Sequence, residues 1–116
     1  MTGTEGFGPD RRLPDKAAFD RVFSAPDIRL RRHPFSVLAA RRDDGRARLG
    51  LVIGKRHARR AVDRNRLRRA LREGFRRREL PAMDVIVMAR PGAADVPHAR
   101  ITEAVGWLFE KLAVEA

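Results

Sequence analysis

The chain switches between stretches with a helical hydrophobic period and stretches with a strand period, and these switches outline a small mixed fold. Ala18, Phe19, Val22 and Phe23 recur at i, i+1, i+4 and i+5, one face of a helix that Asp15 can cap and that runs to about Ser24. On periodicity alone, Phe19 and Phe23 lie one above the other as core. Ala25 to Arg32 mixes Pro26 with charge, which suits an irregular or edge strand. In Phe35 to Arg41, Phe35, Val37 and Ala39 alternate with Ser36, Leu38 and Ala40, and the spacing predicts a strand. Arg42, Asp43, Asp44 and Gly45 read as a turn, and Arg46 to Gly54 returns, so the two strands are expected to pair as a hairpin. In the returning strand Leu49, Leu51 and Ile53 share one face, while Gly50, Val52 and Gly54 leave the other nearly bare. A bare strand face calls for a ligand or a packed neighbour close to the backbone, or for a bulge.

Lys55 to Arg60 reads as a loop, with a helix starting between Ala61 and Arg64 and Asp63 as its candidate N-cap. Leu67, Ala70, Leu71, Gly74 and Phe75 fall on one arc of that helix, and Arg68, Arg69, Arg72 and Arg76 on the opposite arc. Leu80, Pro81 and Ala82 stop it. Met83 to Ala89 is an almost unbroken apolar run, the mark of a strand covered on both faces. After Arg90, Pro91 and Gly92 and a loop to Pro97, a last helix is predicted to run to about Val114, with Ile101, Val105, Leu108, Phe109 and Leu112 on one stripe and Trp107 off it. Met1 to Asp10 is Gly-rich and without period, and reads as a disordered lead-in to one domain spanning 11–116. Helix, strands, basic helix, buried strand and helix in that order give an α+β two-layer sandwich.

Charge changes the picture most. The chain has 116 residues and a net charge of +11. The segment from Lys55 to Arg78 alone holds twelve Lys and Arg residues against Asp63 and Glu73, so the remainder is close to neutral. A field that concentrated points to a polyanionic partner. With no cysteine there is neither a disulfide framework nor a thiolate metal site. No apolar stretch approaches the roughly 20 residues that span a bilayer, and the N-terminus has no secretory pattern. A cytoplasmic protein is expected.

Autonomous catalysis has no support in the residue inventory. Ser24, Ser36, Thr2, Thr4 and Thr102 form no recognisable arrangement with His33, His57 or His98. Asp43 and Asp44 belong to a turn, Asp84 stands alone at the start of a strand, and His57 lies among arginines, so no metal site is expected. Among nucleic-acid readers, Pro81 and the lack of a heptad exclude a basic zipper, and a strand stands where a helix-turn-helix needs its first helix. Shape-and-phosphate recognition of structured RNA remains, on a rigid sheet that presents arginine forks.

The run GLVIGKRHARRAVDRNRLRRALREGFR from Gly50 to Arg76 resembles the signature of the bacterial ribonuclease P protein component. Its Arg-Asn-Arg core is Arg64, Asn65 and Arg66, followed by Arg72 and Glu73. The flanks RRLPDKAAFDRVF from Arg11 to Phe23 and LPAMDVIVMAR from Leu80 to Arg90, and the Trp-bearing last helix, are similar to the family too. The resemblance implies a sandwich of order αβββαβα around a four-stranded sheet, with a left-handed βαβ crossover through the basic helix, as in a domain of elongation factor G and some ribosomal proteins. It implies a subunit that partners the catalytic RNA in removing the 5′ leader from precursor tRNA, with hydrolysis carried by the RNA and its Mg2+ ions. Neither a membrane nor a small-molecule substrate is expected. Arg64, Asn65, Arg66, Arg68, Arg69 and Arg72 are then expected to dock on the RNA subunit, with Lys55, Arg56, Arg59 and Arg60 adding contacts at the helix entrance. Phe19, Phe23 and the Leu38 face of the sheet are expected to form the leader-binding cleft, which exposes the two phenylalanines that periodicity places in the core. The alternative is a ribosome-associated or general structured-RNA-binding protein with no role in cleavage.

Overall fold

The computed structural model describes residues 11–43 and 45–115, so the expected lead-in and Asp44 of the expected turn lie outside the described residues. In chain order the elements are α1 (Lys16–Ser24), β1 (Ile28–Arg32), β2 (Phe35–Arg41), β3 (Arg48–Val52), α2 (Ala61–Arg76), β4 (Met83–Ala89) and α3 (His98–Glu115), with a 3-10 turn at Ala93–Asp95 before α3. The Asp15 carboxylate accepts from the Ala18 N–H at 3.0 Å, which starts α1 as its sequence predicts.

The sheet order is β1-β2-β4-β3. The expected hairpin of β2 with β3 does not form. β4 lies between them, antiparallel to β2 and parallel to β3, and the hairpin is instead β1 with β2. The cause lies in the composition of β4. Met83, Val85, Ile86, Val87 and Ala89 are buried across both faces, and a strand that is apolar on both sides is satisfied only with ladders on both edges and cover above and below. With β1 paired to β2, a β2–β3 hairpin would leave β4 only an edge. β3, α2 and β4 thus form a βαβ unit, and the crossover is the basic helix itself.

One face of the sheet carries Ile28, Val37, Ala39, Leu49, Val85 and Val87, which share a core with Leu67, Leu71 and Phe75 of α2 and Ile101, Leu108, Phe109 and Leu112 of α3. These are the two layers of the sandwich. Phe75 and Phe109 meet edge to face with centroids 5.8 Å apart. Gly74 lets α2 and α3 approach, because a Cβ there would overlap Val105 Cγ1. Trp107 lies at the rim, half-buried, with the Arg32 guanidinium 5.0 Å above its ring.

The other face is covered only in part. α1 packs Ala18 and Val22 onto Ile86, with Leu13 beside them and Phe19, Leu38, Ala40 and Met88 half-buried around the cluster. The bare side of β3 is filled from here. A Cβ on Gly50 would lie 2.5 Å from Phe19 Cζ and 2.6 Å from Leu13 Cδ1, so the glycine accommodates a packed neighbour. At the sheet's end Asp84, 3% exposed, accepts from Arg48 Nε and Nη2, both at 2.8 Å, and Arg42 Nε stands 3.7 Å away. The carboxylate that looks isolated in the sequence is therefore paired across the β3–β4 ladder.

Candidate nucleic-acid interface

β3 ends at Val52, and the chain leaves it through a tight turn that presents Lys55 and Arg56 to solvent. The turn is locked from inside. The Gly54 carbonyl accepts from the His57 and Ala58 N–H groups at 3.1 and 3.2 Å, and the His57 Nδ1 accepts from the Gly54 N–H at 3.3 Å. His57 is thus a structural residue of the turn. Ala58 is buried, and Arg59 and Arg60 follow on the surface.

The N-cap of α2 is Arg60, which has no capping side-chain bond, and Asp63 sits in the first helical turn rather than before it. The expected cap fails because Ala61 and Val62 are already helical and the Arg60 carbonyl accepts the first helical N–H groups, from Asp63 and Arg64, both at 3.1 Å. From its position Asp63 complements the positive end of the helix dipole and accepts from Arg60 Nε at 2.9 Å, a pairing that raises the Arg60 pKa.

The arginines of α2 do not form one stripe. Arg64 curls back, its Nη1 donating to the Ala58 and Arg59 carbonyls at 3.0 and 2.9 Å, and so ties the entrance turn to the helix. Arg66 reaches the other way and donates to the Ala94 and Val96 carbonyls at 3.1 and 3.4 Å, clamping the 3-10 turn. Both keep their charge, since carbonyls do not neutralise it. Asn65, Arg68 and Arg72 occupy the flank toward β3, where Arg12 approaches Arg72. Burial, and after it the neighbouring Arg12 and Arg68 guanidinium groups, lower the Arg72 pKa. Arg69 and Arg66 lie roughly 100° further round at about 100° per residue, on the flank that faces α3. Arg76, predicted to line the outer arc, turns onto Glu73, which also lies 3.5 Å from Arg77. Hydrogen bonding from Arg76 holds the Glu73 carboxyl below its usual range.

Both acids of the basic segment are therefore taken up at once by Arg60 and by Arg76 with Arg77. Among the described residues no carboxylate stands within ion-pair distance of Lys55, Arg56, Arg59, Arg64, Arg66, Arg68 or Arg69. Such an array can exchange its solvent and counterions for phosphate oxygens without first breaking an internal pair.

The second expected surface lies across the sheet. Phe23 is 44% exposed, so the periodicity reading of it as core fails: Val22 already fills the inward position. Phe19 is half-buried over Gly50, and Leu38 is half-buried on the same sheet face. Strand register adds neighbours that the sequence pattern does not single out. Arg29 pairs with Leu38 and Arg31 with Ser36, so both exposed cations border the apolar strip, and Arg90 Nη1 donates to Ser36 Oγ at 3.2 Å. Alternation within Ile28–Arg32 places Arg29 and Arg31 on one face, but only the pairing shows which face.

The sequence model of the family described as Ribonuclease P matches residues 7–113. The ribonuclease P protein component of Idiomarina loihiensis is 35% identical over 109 residues, 92% of this chain and 87% of its own. That of Legionella pneumophila is 40% identical over 107 residues, 92% of this chain and 93% of its own. Among solved structures, the Staphylococcus aureus RNase P protein superposes with a TM-score of 0.77 at 27% identity, over 89% of this chain and 97% of that one. The Thermotoga maritima RNase P protein gives 0.71 at 27% identity, over 89% and 96%.

Proposed function

The chain belongs to the ribonuclease P protein family, and from that premise we propose how its two surfaces divide the work of a ribonucleoprotein endoribonuclease whose RNA subunit carries the chemistry. The basic segment docks on the RNA subunit. Arg68, Arg69 and Arg72, with Asn65 beside Arg68 and Arg72, meet its phosphates, and Lys55, Arg56, Arg59 and Arg60 extend the contact around the helix entrance. Arg64 and Arg66 hold the entrance turn and the 3-10 turn in place while adding their charge to the same field. The observation that carries this reading is the internal pairing: the segment's own acids are satisfied by Arg60, Arg76 and Arg77, and Lys55, Arg56, Arg59 and Arg69 are exposed with no carboxylate partner among the described residues.

The substrate in this reading is precursor tRNA. Its unpaired 5′ leader lies along the strip of Phe23, Phe19 and Leu38, where exposed aromatic and aliphatic surface suits unstacked bases and Arg29 and Arg31 suit their phosphates. Hydrolysis needs magnesium. Among the described residues no three His, Asp or Glu side chains converge to hold a metal, so we assign the ions to RNA phosphates. The protein then screens repulsion between two RNAs, which lowers the magnesium needed. No described helix is long and apolar enough to cross a membrane, and we place the protein with its RNAs in the cytoplasm.

The test is reconstitution at low magnesium of the purified chain, the catalytic RNA and precursor tRNA. Cleavage at the mature 5′ end should depend on the protein and favour leader-bearing substrate over mature tRNA. RNA binding with no effect on cleavage would overturn this reading in favour of a general RNA-binding protein.

A further inference from the structure

The α3-facing flank of the basic helix borders a groove of about 630 Å3 that the roles above leave without an occupant. Its rim is Arg66, Arg69 and Arg77, and its floor is Ala70, Val105 and Gly106. Two glycines line it, and they differ. Gly74 is explained by packing, since a Cβ would overlap Val105. Gly106 is not: a Cβ there would meet nothing within 4 Å, although glycine inside a helix costs about 0.5–1 kcal/mol relative to alanine. Neither packing nor backbone angle calls for it, and what it leaves is a flat apolar floor open to solvent. Arg77 is 76% exposed at the rim and stands 3.5 Å from Glu73, which also accepts from Arg76.

A flat apolar floor between guanidinium groups fits a nucleotide. Arginine forks match phosphate oxygens, and the face of a ribose or base needs a wall without protruding side chains. The positive rim disfavours a second copy of this +11 chain. We propose that the α2–α3 groove receives an unpaired nucleotide of the RNA subunit, its phosphate between Arg69 and Arg77 and its sugar or base face over Ala70, Val105 and Gly106. This rests on the ribonuclease P reading above and deepens it: the RNA grips the basic helix on two flanks, toward β3 and toward α3.

Gly106→Leu fills the floor while leaving every charge in place. Because leucine is the better helix former, its melting temperature should be no lower than that of the parent. Its affinity for the transcribed RNA subunit should fall about tenfold, the scale of one lost base contact, with the salt slope unchanged. Arg69→Ala should weaken binding and also reduce the slope, by about 0.7–0.9 for one phosphate. A second measurement stands apart from the fold of that variant. The chain has no cysteine, so Thr102→Cys at the groove's edge accepts a single tethered iron–EDTA group, which should cut the RNA at one discrete unpaired site. Binding by Gly106→Leu equal to the parent, or diffuse cleavage from position 102, overturns the proposal and leaves the family reading standing. If Gly106→Leu abolishes self-association but not RNA binding, the groove belongs to a second copy and the proposal fails. Failure of the parent protein itself to bind the RNA removes the premise as well.

Discussion

Replacing Arg68 by alanine should move stability and RNA binding in opposite directions. In the free protein Arg68 sits one turn before Arg72, whose guanidinium pKa is lowered by burial and then by Arg12 and Arg68. A like-charged i, i+4 pair destabilises a helix by about 0.2–0.5 kcal/mol, and alanine is the better helix former by about 0.2 kcal/mol. Arg68 has no carboxylate partner among the described residues to lose, and its half-buried stem gives up a little packing. The net is a gain of about 0.3–0.5 kcal/mol, or about 1–3 °C in melting temperature for a domain of this size. Binding runs the other way. If about six arginine–phosphate contacts form, log affinity for the RNA subunit falls with log salt at a slope of about −4 to −5, and losing one contact makes that slope shallower by about 0.7–0.9. A charge-assisted hydrogen bond contributes about 1.5–3 kcal/mol, so affinity should drop at least about tenfold. Calorimetry on the free protein and filter binding across a salt titration read the two quantities separately. A lower melting temperature with an unaltered slope would show that Arg68 serves the fold and not the RNA.

Gly74→Ala should cost about 1–3 kcal/mol in urea denaturation by forcing Val105 away from α2; a neutral result would mean that the two helices do not approach as closely as described. Phe23→Ala, at a 44% exposed position, should change stability by under about 1 kcal/mol while reducing discrimination between leader-bearing and leaderless tRNA by about tenfold, one base contact. Phe19→Ala should do both, losing about 2 kcal/mol of stability with its packing over Gly50; equal stability loss for the two would contradict their different burial. Asp84→Asn should destabilise by about 3 kcal/mol, because Arg48 is left half-enclosed without its counter-charge. Restoration by a second change, Arg48→Met, would confirm that the cost is the orphaned charge.

Much of this fold can be read from the chain because local signals agree with the global arrangement. Asp15 before Ala18 and Val22 marks α1, the stripe from Ile101 to Leu112 marks α3, and Met83–Ala89 announces a strand with no solvent face. Strand partners are another matter. Turn residues such as Asp43 and Gly45 report that the chain reverses, not which strand it meets, and only the demand of β4 for two neighbours decides the order. The same limit hides the partner of Asp84: Arg48 stands opposite it solely because β3 and β4 pair in parallel in this register. At the interface, composition identifies the cations, but the reach of each guanidinium depends on what it finds. Arg64 and Arg66 find backbone carbonyls contributed by the entrance turn and by the segment before α3, which no periodicity within α2 foretells.

A helix with this charge does not persist on propensity. Arg64 with Arg68, Arg68 with Arg72, Arg66 with Arg69 and Arg69 with Arg72 are like-charged neighbours at i+3 or i+4, each unfavourable by about 0.2–0.5 kcal/mol in water. Against them stand Leu67, Leu71 and Phe75, all fully buried, at about 1.5–3 kcal/mol each. The apolar face wins, so the sheet and α3 hold the helix in shape against its own field. In the proposed complex that field is relieved as RNA phosphates add counter-charge beside it. A carboxylate added on either flank to quiet the helix would therefore stabilise the free protein and weaken the complex. Among the described residues Arg64, Arg66, Arg68 and Arg69 have no carboxylate partner, and in the function proposed above their counter-charges belong to the RNA.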